Sequence, residues 1–503
     1  TTPVEAAGTS FDFLIRASGN NTSDNMTLTV SLENVTVEIK DPENGGHVRD
    51  GVTVKGTASA PLEKFKNYTL EWRNSSGIWN NITASGVRVV DGTLGTWDVS
   101  ALPDGSDYEL RLTVYLTGGE SYSTTNSLTV DNKPPVAWVN RPNSSAPAVV
   151  FGGGSVLVNI TYNETNPENY TVRIYNSSNI IGNNTSELTL GGNRTSQISV
   201  PINTGIPDGS YSIEVKIYDK AGNFNTSTEP DAVIVDSTAP NVTIHSPTQS
   251  SPAYVRKGGK VYVNLTYIEK TPKNLTVRIY DVSEIGSNYT ESLSAGEVDL
   301  NISVNISASA ADGKYRVEVR MYDAADNSST TSEMDAVIVD SKEPVITISK
   351  PTNADIAYAK AGDYVYVNFT YTEENPREFY VALINTTIEG YLLDTSVEGG
   401  TNKIVNESVP VYYSAPERYY NVSVGMYDNA TNYGVNYSNI SVYIDNTPPS
   451  VTNATTNRTD NEVNKGEYII LYANVTDNIP LPVQDVRIDL SATKGSPSQL
   501  MYD

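Results

Sequence analysis

The feature that most constrains this chain is a β-hairpin that recurs along it. In residues 207–236, Tyr211, Ile213, Val215 and Ile217 alternate with Ser212, Glu214 and Lys216. That period of two marks a strand buried on one face. The strand runs into Asp219-Lys220-Ala221-Gly222-Asn223, a turn composition, and a return strand ends in Val233, Ile234 and Val235. Tyr315, Val317, Val319 and Met321 lead in the same way into the turn 323–327, and Tyr420, Val422, Val424 and Met426 into 428–432. The turn aspartates 219, 323 and 428 lie 104 and 105 residues apart. Solenoid repeats run to about 20–50 residues, so the repeating unit here is a whole domain.

That period predicts four complete domains, at 34–131, 132–236, 237–340 and 341–445. Fragments flank them at 1–33 and 446–503. The junctions read DNKPP (131–135), DSTAP (236–240), DSKEP (340–344) and DNTPP (445–449). Their prolines fix φ and predict short, stiff linkers, hence a rod. Residues 1–33 read as an orphan copy of the closing hairpin. Phe11, Phe13, Ile15 and Ala17 alternate along its first strand, the turn falls at 20–23, and the return strand runs from Met26 to Leu32. The copy departs from the repeats at Gly19, where they carry Asp. Residues 446–503 supply strands around Ile470 and around VQDVRIDLSA but no closing hairpin. The chain starts at Thr1 rather than Met, which reads as processing or as a segment of something longer.

Composition narrows the chemistry. With 33 Tyr against 7 Phe and 5 Met, the chain favours strands with one polar face. It has no cysteine, which excludes thiol chemistry and zinc–thiolate sites. A net charge of −25 argues against nucleic acid and anionic membranes as partners and for cation binding. No apolar run is long enough to span a membrane. The two histidines, His47 and His245, fall in different domains, and no metalloprotease, nucleophile-elbow or phosphate-loop motif is present. The glycines at 152–154 lack the Lys-Ser/Thr of a phosphate loop and read as a turn. An enzyme is not expected.

The strongest signal is the density of Asn-x-Ser/Thr sequons, 33 in all. The N-terminal fragment has Asn20, Asn21 and Asn25, and residues 34–131 have Asn34, Asn67, Asn74 and Asn81. Residues 132–236 hold Asn143, Asn159, Asn163, Asn169, Asn176, Asn183, Asn184, Asn193 and Asn225. Asn241, Asn264, Asn274, Asn288, Asn301, Asn305 and Asn327 follow in 237–340. Residues 341–445 carry Asn368, Asn385, Asn406, Asn421, Asn429, Asn436 and Asn439, and the last fragment Asn453, Asn457 and Asn474. In SVLVNITY, Val156, Val158, Ile160 and Tyr162 face inward, so Asn159 faces out, and Asn264 and Asn368 repeat the placement. N-linked glycans need a solvated face, and the period supplies one. The expectation is a heavily N-glycosylated, extracellular protein at the cell surface.

The DNTPP-type junctions, the Asp-Gly-x-Tyr lead into the penultimate strand and the YDxAGN-type hairpin resemble the Ig-like β-sandwich repeats of prokaryotic cell-surface proteins. With its sequons, the chain resembles an archaeal surface-layer (S-layer) or surface-filament glycoprotein. The resemblance implies an all-β fold of tandem Ig-like Greek-key sandwiches, each of about seven strands in two sheets. It also implies a tyrosine corner at Tyr108, Tyr211 and Tyr315. The copy at 416–420 lacks the Asp-Gly pair. In such a sandwich the second-to-third strand loop, the last hairpin turn and the incoming linker share a pole. Three acidic residues then gather at each junction: Asp131, Glu164 and Asp219; Asp236, Glu269 and Asp323; Asp340, Glu373 and Asp428. Hard oxygen ligands from separate loops suit Ca²⁺, and three carboxylates without a cation repel one another. The alternative is that the aspartates are turn formers and the glutamates surface charge. Asp445 and Asp477 remain for the last fragment.

These readings converge on a structural role, with the chain itself as partner in a homo-oligomeric lattice or filament. One route to assembly is head-to-tail: the hairpin of 1–33 completes 446–503 of the next subunit by strand addition. A slice through a longer tandem array accounts for the same ragged ends. The alternative function is an adhesin or stalk presenting a binding or enzymatic domain outside this segment. Outward tyrosines such as Tyr366 are either sugar contacts or ordinary strand-face aromatics.

Overall fold

A computed structural model describes residues 10–19, 22–31, 34–459, 462, 464, 467–479, 487–488 and 499–500. The chain divides into two compact units, Thr1–Ala239 with Tyr322–Asn327, and Pro240–Met321 with Ser328–Asp503. Among the described residues all regular structure is β-strand.

Four sandwiches repeat one topology. In sandwich II a three-stranded sheet orders Val136–Arg141, Ser155–Glu164 and Gly192–Pro201. The facing five-stranded sheet orders Ala148–Val150, Phe224–Val235, Gly209–Asp219, Pro167–Tyr175 and Ile180–Glu187. Ala148–Val150 runs parallel to the closing strand and every other pairing is antiparallel. The chain thus makes eight strands per sandwich, because the first strand breaks at a proline-containing bend and joins both sheets. Sandwich I repeats the order between Thr36–Asp41 and Ser121–Val130, III between Asn241–Ser246 and Ser328–Val339, and IV between Val345–Lys350 and Tyr433–Ile444. The bend follows a cis peptide at Pro42, Pro142, Pro247 and Pro351.

Alternation decides which side chains are buried. Val156, Val158, Ile160 and Tyr162 lie in the core of sandwich II with Tyr211, Ile213, Val215 and Ile217, and each of the four sandwiches has its own cluster. Burying a Val, Ile or Leu side chain contributes about 1.5–3 kcal/mol, which makes these clusters the main favourable term in each sandwich. Tyr162, Tyr267 and Tyr371 also tie the sandwich across. Their hydroxyls donate to the carbonyls of Leu190, Ser294 and Glu398 at 2.8, 2.7 and 2.5 Å.

All four tyrosine corners form. Tyr108, Tyr211, Tyr315 and Tyr420 donate to the carbonyls of Pro103, Pro207, Ala311 and Pro416 at 2.8–2.9 Å. The corner at Tyr420 therefore holds without Asp-Gly. Asp104, Asp208 and Asp312 accept the N–H of Asn132, Ser237 and Ser341, the residue after each junction Asp. In sandwich IV Glu417 does the same for Asn446 at 3.1 Å, its longer side chain replacing the aspartate.

The hairpin near the N-terminus pairs Ser10–Gly19 with Thr22–Ser31, a return strand that starts earlier than expected. Its turn residues 20 and 21 lie outside the described residues. Toward the C-terminus, Ser450–Thr456 pairs with Leu471–Thr476 and Arg487–Ile488 with Gln499–Leu500.

Candidate metal centres and modification sites

The junction between sandwiches III and IV lies within one unit. There the linker delivers Asp340, the strand Tyr364–Glu373 ends at Glu373 and the strand Arg418–Asp428 ends at Asp428. All three side chains are buried, Asp428 completely. Oxygens from the three carboxylates lie within 4.8 Å of one another. The surrounding loops hold them by hydrogen bonds. The Asn375 N–H donates to Glu373 Oε1 at 2.8 Å and its Nδ2 to Asp340 Oδ2 at 3.0 Å. Asn432 donates its N–H to Asp428 Oδ1 at 2.7 Å. Its Nδ2 reaches both Asp428 Oδ2 at 2.6 Å and the Asp340 carbonyl at 3.0 Å.

Burial pushes the Glu373 carboxyl above the usual glutamate range, and the charges of Asp340 and Asp428 push the same way. Burial likewise raises Asp428, with Asp340 adding to it, against the two hydrogen bonds from Asn432. The donors hold the ring of oxygens in place without neutralising it. The cluster therefore has hard oxygen donors, converging geometry and excess negative charge, the properties of a Ca²⁺ site.

The junction between sandwiches I and II, within the other unit, has a similar hydrogen-bonded frame, but its three acids are not among the trios whose oxygens all lie within 4.8 Å of one another. Asp131, Glu164 and Asp219 are buried. Asn223 bonds to both Asp219 oxygens and to the Asp131 carbonyl, each at 2.8 Å. Burial raises Glu164, and Asp131 and Asp219 raise it further. Here positive groups also approach. Arg49 Nη1 donates to Asn223 Oδ1 at 3.2 Å, and the His47 imidazole is held low by burial and by the charge of Lys220. Of the remaining trio, Asp236 and Asp323 are buried in the same unit, and Asn327 Nδ2 bonds to the Asp236 carbonyl and to Asp323 at 2.9 and 2.7 Å. Glu269 is buried at its own strand end, capping the Thr271 N–H at 2.8 Å. Near Asp445 the Asn478 amide donates to Glu417 at 2.7 Å and to Asp445 at 3.3 Å.

The acids are legible in the sequence and the asparagines that hold them are not. Asn223, Asn327 and Asn432 stand four residues after the turn aspartate in every copy, an Asp-x-Ala-x-Asn spacing that reads as turn chemistry alone. Asn327 is also a sequon. Its Nδ2 makes two hydrogen bonds, while those of Asn184, Asn264, Asn288, Asn385, Asn429 and Asn436 each make one.

Every described sequon asparagine is at least partly exposed. Asn20 and Asn21 lie outside the described residues. Asn159 is half-buried, with Oδ1 sealed from solvent and without a hydrogen-bond partner. Asn436 turns inward and donates to the Ile346 carbonyl at 2.6 Å. His245 is exposed at its strand and contacts Thr266 at 2.7 Å.

A model of the bacterial Ig-like domain family (group 3) matches residues 201–280, spanning the closing hairpin of sandwich II and the opening strands of III. Among solved structures, a tetra-tandem repeat from the extending region of a large adhesion protein is 16% identical. The match covers 82% of this chain and all of that one, with a TM-score of 0.33. A Ca²⁺-stabilised ice-binding adhesin of an Antarctic bacterium is 20% identical, over 81% of this chain and all of that one, with a TM-score of 0.32. Fibronectin(III)-like modules of Clostridium thermocellum CbhA are 14% identical, over 40% of this chain and 94% of theirs, at 0.26. No curated protein sequence matches significantly. By its fold the chain is a tandem array of Ig-like β-sandwiches.

Proposed function

We propose that this chain is an extracellular, N-glycosylated structural protein that builds a cell-surface layer or filament, its junctions stiffened by Ca²⁺. The observation that carries the reading is the trio Asp340, Glu373 and Asp428. Three buried carboxylates from a linker and two strand ends converge within 4.8 Å, and a cation there would join consecutive sandwiches. We take the domains as 34–131, 132–236, 237–340 and 341–445, flanked by the fragments 1–33 and 446–503. The candidate ligands are the nine acids named above, and the glycans sit on the exposed sequons. No helix among the described residues is long and apolar enough to cross a membrane.

The hairpin of residues 10–31 supports self-association by strand addition. Its strands pair with each other, and Leu14, Ile15 and Met26 are exposed. A stalk carrying a binding or enzymatic domain outside this segment would use the same stiff junctions without assembling. Negative-stain microscopy of the purified chain separates the two. A structural layer or filament protein forms ordered sheets or filaments in Ca²⁺ and loses them in chelator, and deleting residues 1–33 abolishes them. Isolated particles in Ca²⁺ would favour the stalk.

A further inference from the structure

Most exposed large apolar side chains of this chain would be unremarked if scattered singly. Many are not scattered. Leu157, Tyr262 and Tyr366 are 57%, 58% and 75% exposed and occupy the same place in sandwiches II, III and IV. Each stands two residues before a sequon asparagine, Asn159, Asn264 and Asn368. The spacing recurs at Tyr419 before Asn421, Tyr437 before Asn439 and Tyr472 before Asn474, residues that are 46%, 55% and 54% exposed. On a strand, positions i−2 and i project from the same face, so ring and attachment nitrogen are neighbours. The Tyr364–Glu373 strand shows this directly: Val365, Val367 and Phe369 are buried while Tyr366 projects outward beside Asn368.

We infer that Tyr262, Tyr366, Tyr419, Tyr437 and Tyr472 are the beds on which the first sugars of the chain's own N-glycans lie, with Leu157 offering only its apolar surface at the matching place. The occupant is the glycan tethered at the next outward position, since that nitrogen fixes where its first sugar begins. A pyranose offers a flat C–H face to the ring, whose negative π-face attracts it, and its hydroxyls remain in water.

This inference rests on the glycosylation reading, and one experiment separates the two. The glycosylated chain and its Thr370→Val variant, which removes the Asn368 sequon but keeps Asn368 and Tyr366, are iodinated under native conditions. Glycopeptide mass spectrometry reads occupancy at Asn368, and the same digest reads labelling of Tyr366 against Tyr413, which is 90% exposed. The expected result is occupancy of Asn368 and several-fold faster labelling of Tyr366 in the variant, with Tyr413 unchanged. An occupied Asn368 with equal Tyr366 labelling in both proteins would overturn the inference and leave glycosylation standing. An unoccupied Asn368 would overturn both at this site.

Discussion

At the scale of single residues, the decisive feature is a carboxylate kept where water cannot stabilise it. Glu373 is buried beside Asp340 and Asp428, and burial and both neighbours oppose its charge. Removing that charge therefore has opposite consequences with and without a cation. In chelator at neutral pH, Glu373→Gln relieves repulsion and raises stability by about 1–2 kcal/mol. In Ca²⁺ the same substitution removes a ligand and lowers the melting temperature. Paired melts of the two proteins in both buffers check the inversion. A substitution that acted only through packing would move both melts the same way.

At the scale of elements, the closing strands of sandwiches II, III and IV each carry a residue of positive φ where the strand bends. Asp231 and Asp335 fill that position at φ 51°, and Ile440 fills it in sandwich IV at φ 48°. A β-branched side chain is poorly suited to the left-handed region, and Asn tolerates it. Ile440→Asn therefore stabilises sandwich IV by about 1 kcal/mol, read as a higher urea midpoint with an unchanged slope. The sequence made the strands legible because Tyr211 to Ile217 and their copies alternate strictly, and a period of two has one meaning on a half-buried sheet. The bulge was not legible, because Pro230-Asp231 reads equally well as a loop. Nor was the eighth strand. Ala148–Val150 has only three residues, too few for a period, and its place is set by parallel pairing with Val233, Ile234 and Val235. The acids of the site could be found from their spacing. Asn375 and Asn432, which orient them, could not, since an asparagine in a turn already explains itself locally.

At the scale of the whole molecule, acidic junctions recur, and five of their carboxyls are displaced in one direction. Glu164, Asp219, Asp323, Glu373 and Asp428 are all raised, with burial the largest cause in each. A carboxyl raised on folding contributes stability that is complete below its unfolded value and lost as pH rises through the folded one. Without a cation these groups therefore weaken the fold at neutral pH, and acidification restores what they remove. A bound cation reverses the penalty by favouring the charged forms, and ligand at a hundred times its Kd stabilises by about 2.7 kcal/mol per site. The measurement that tests this most directly is the calorimetric melt of the intact chain in Ca²⁺ and in chelator, at about pH 7.5 and about pH 4. The account predicts a higher melting temperature in Ca²⁺ at the higher pH and little difference at the lower one. Melts that coincide in Ca²⁺ and chelator at the higher pH would contradict it.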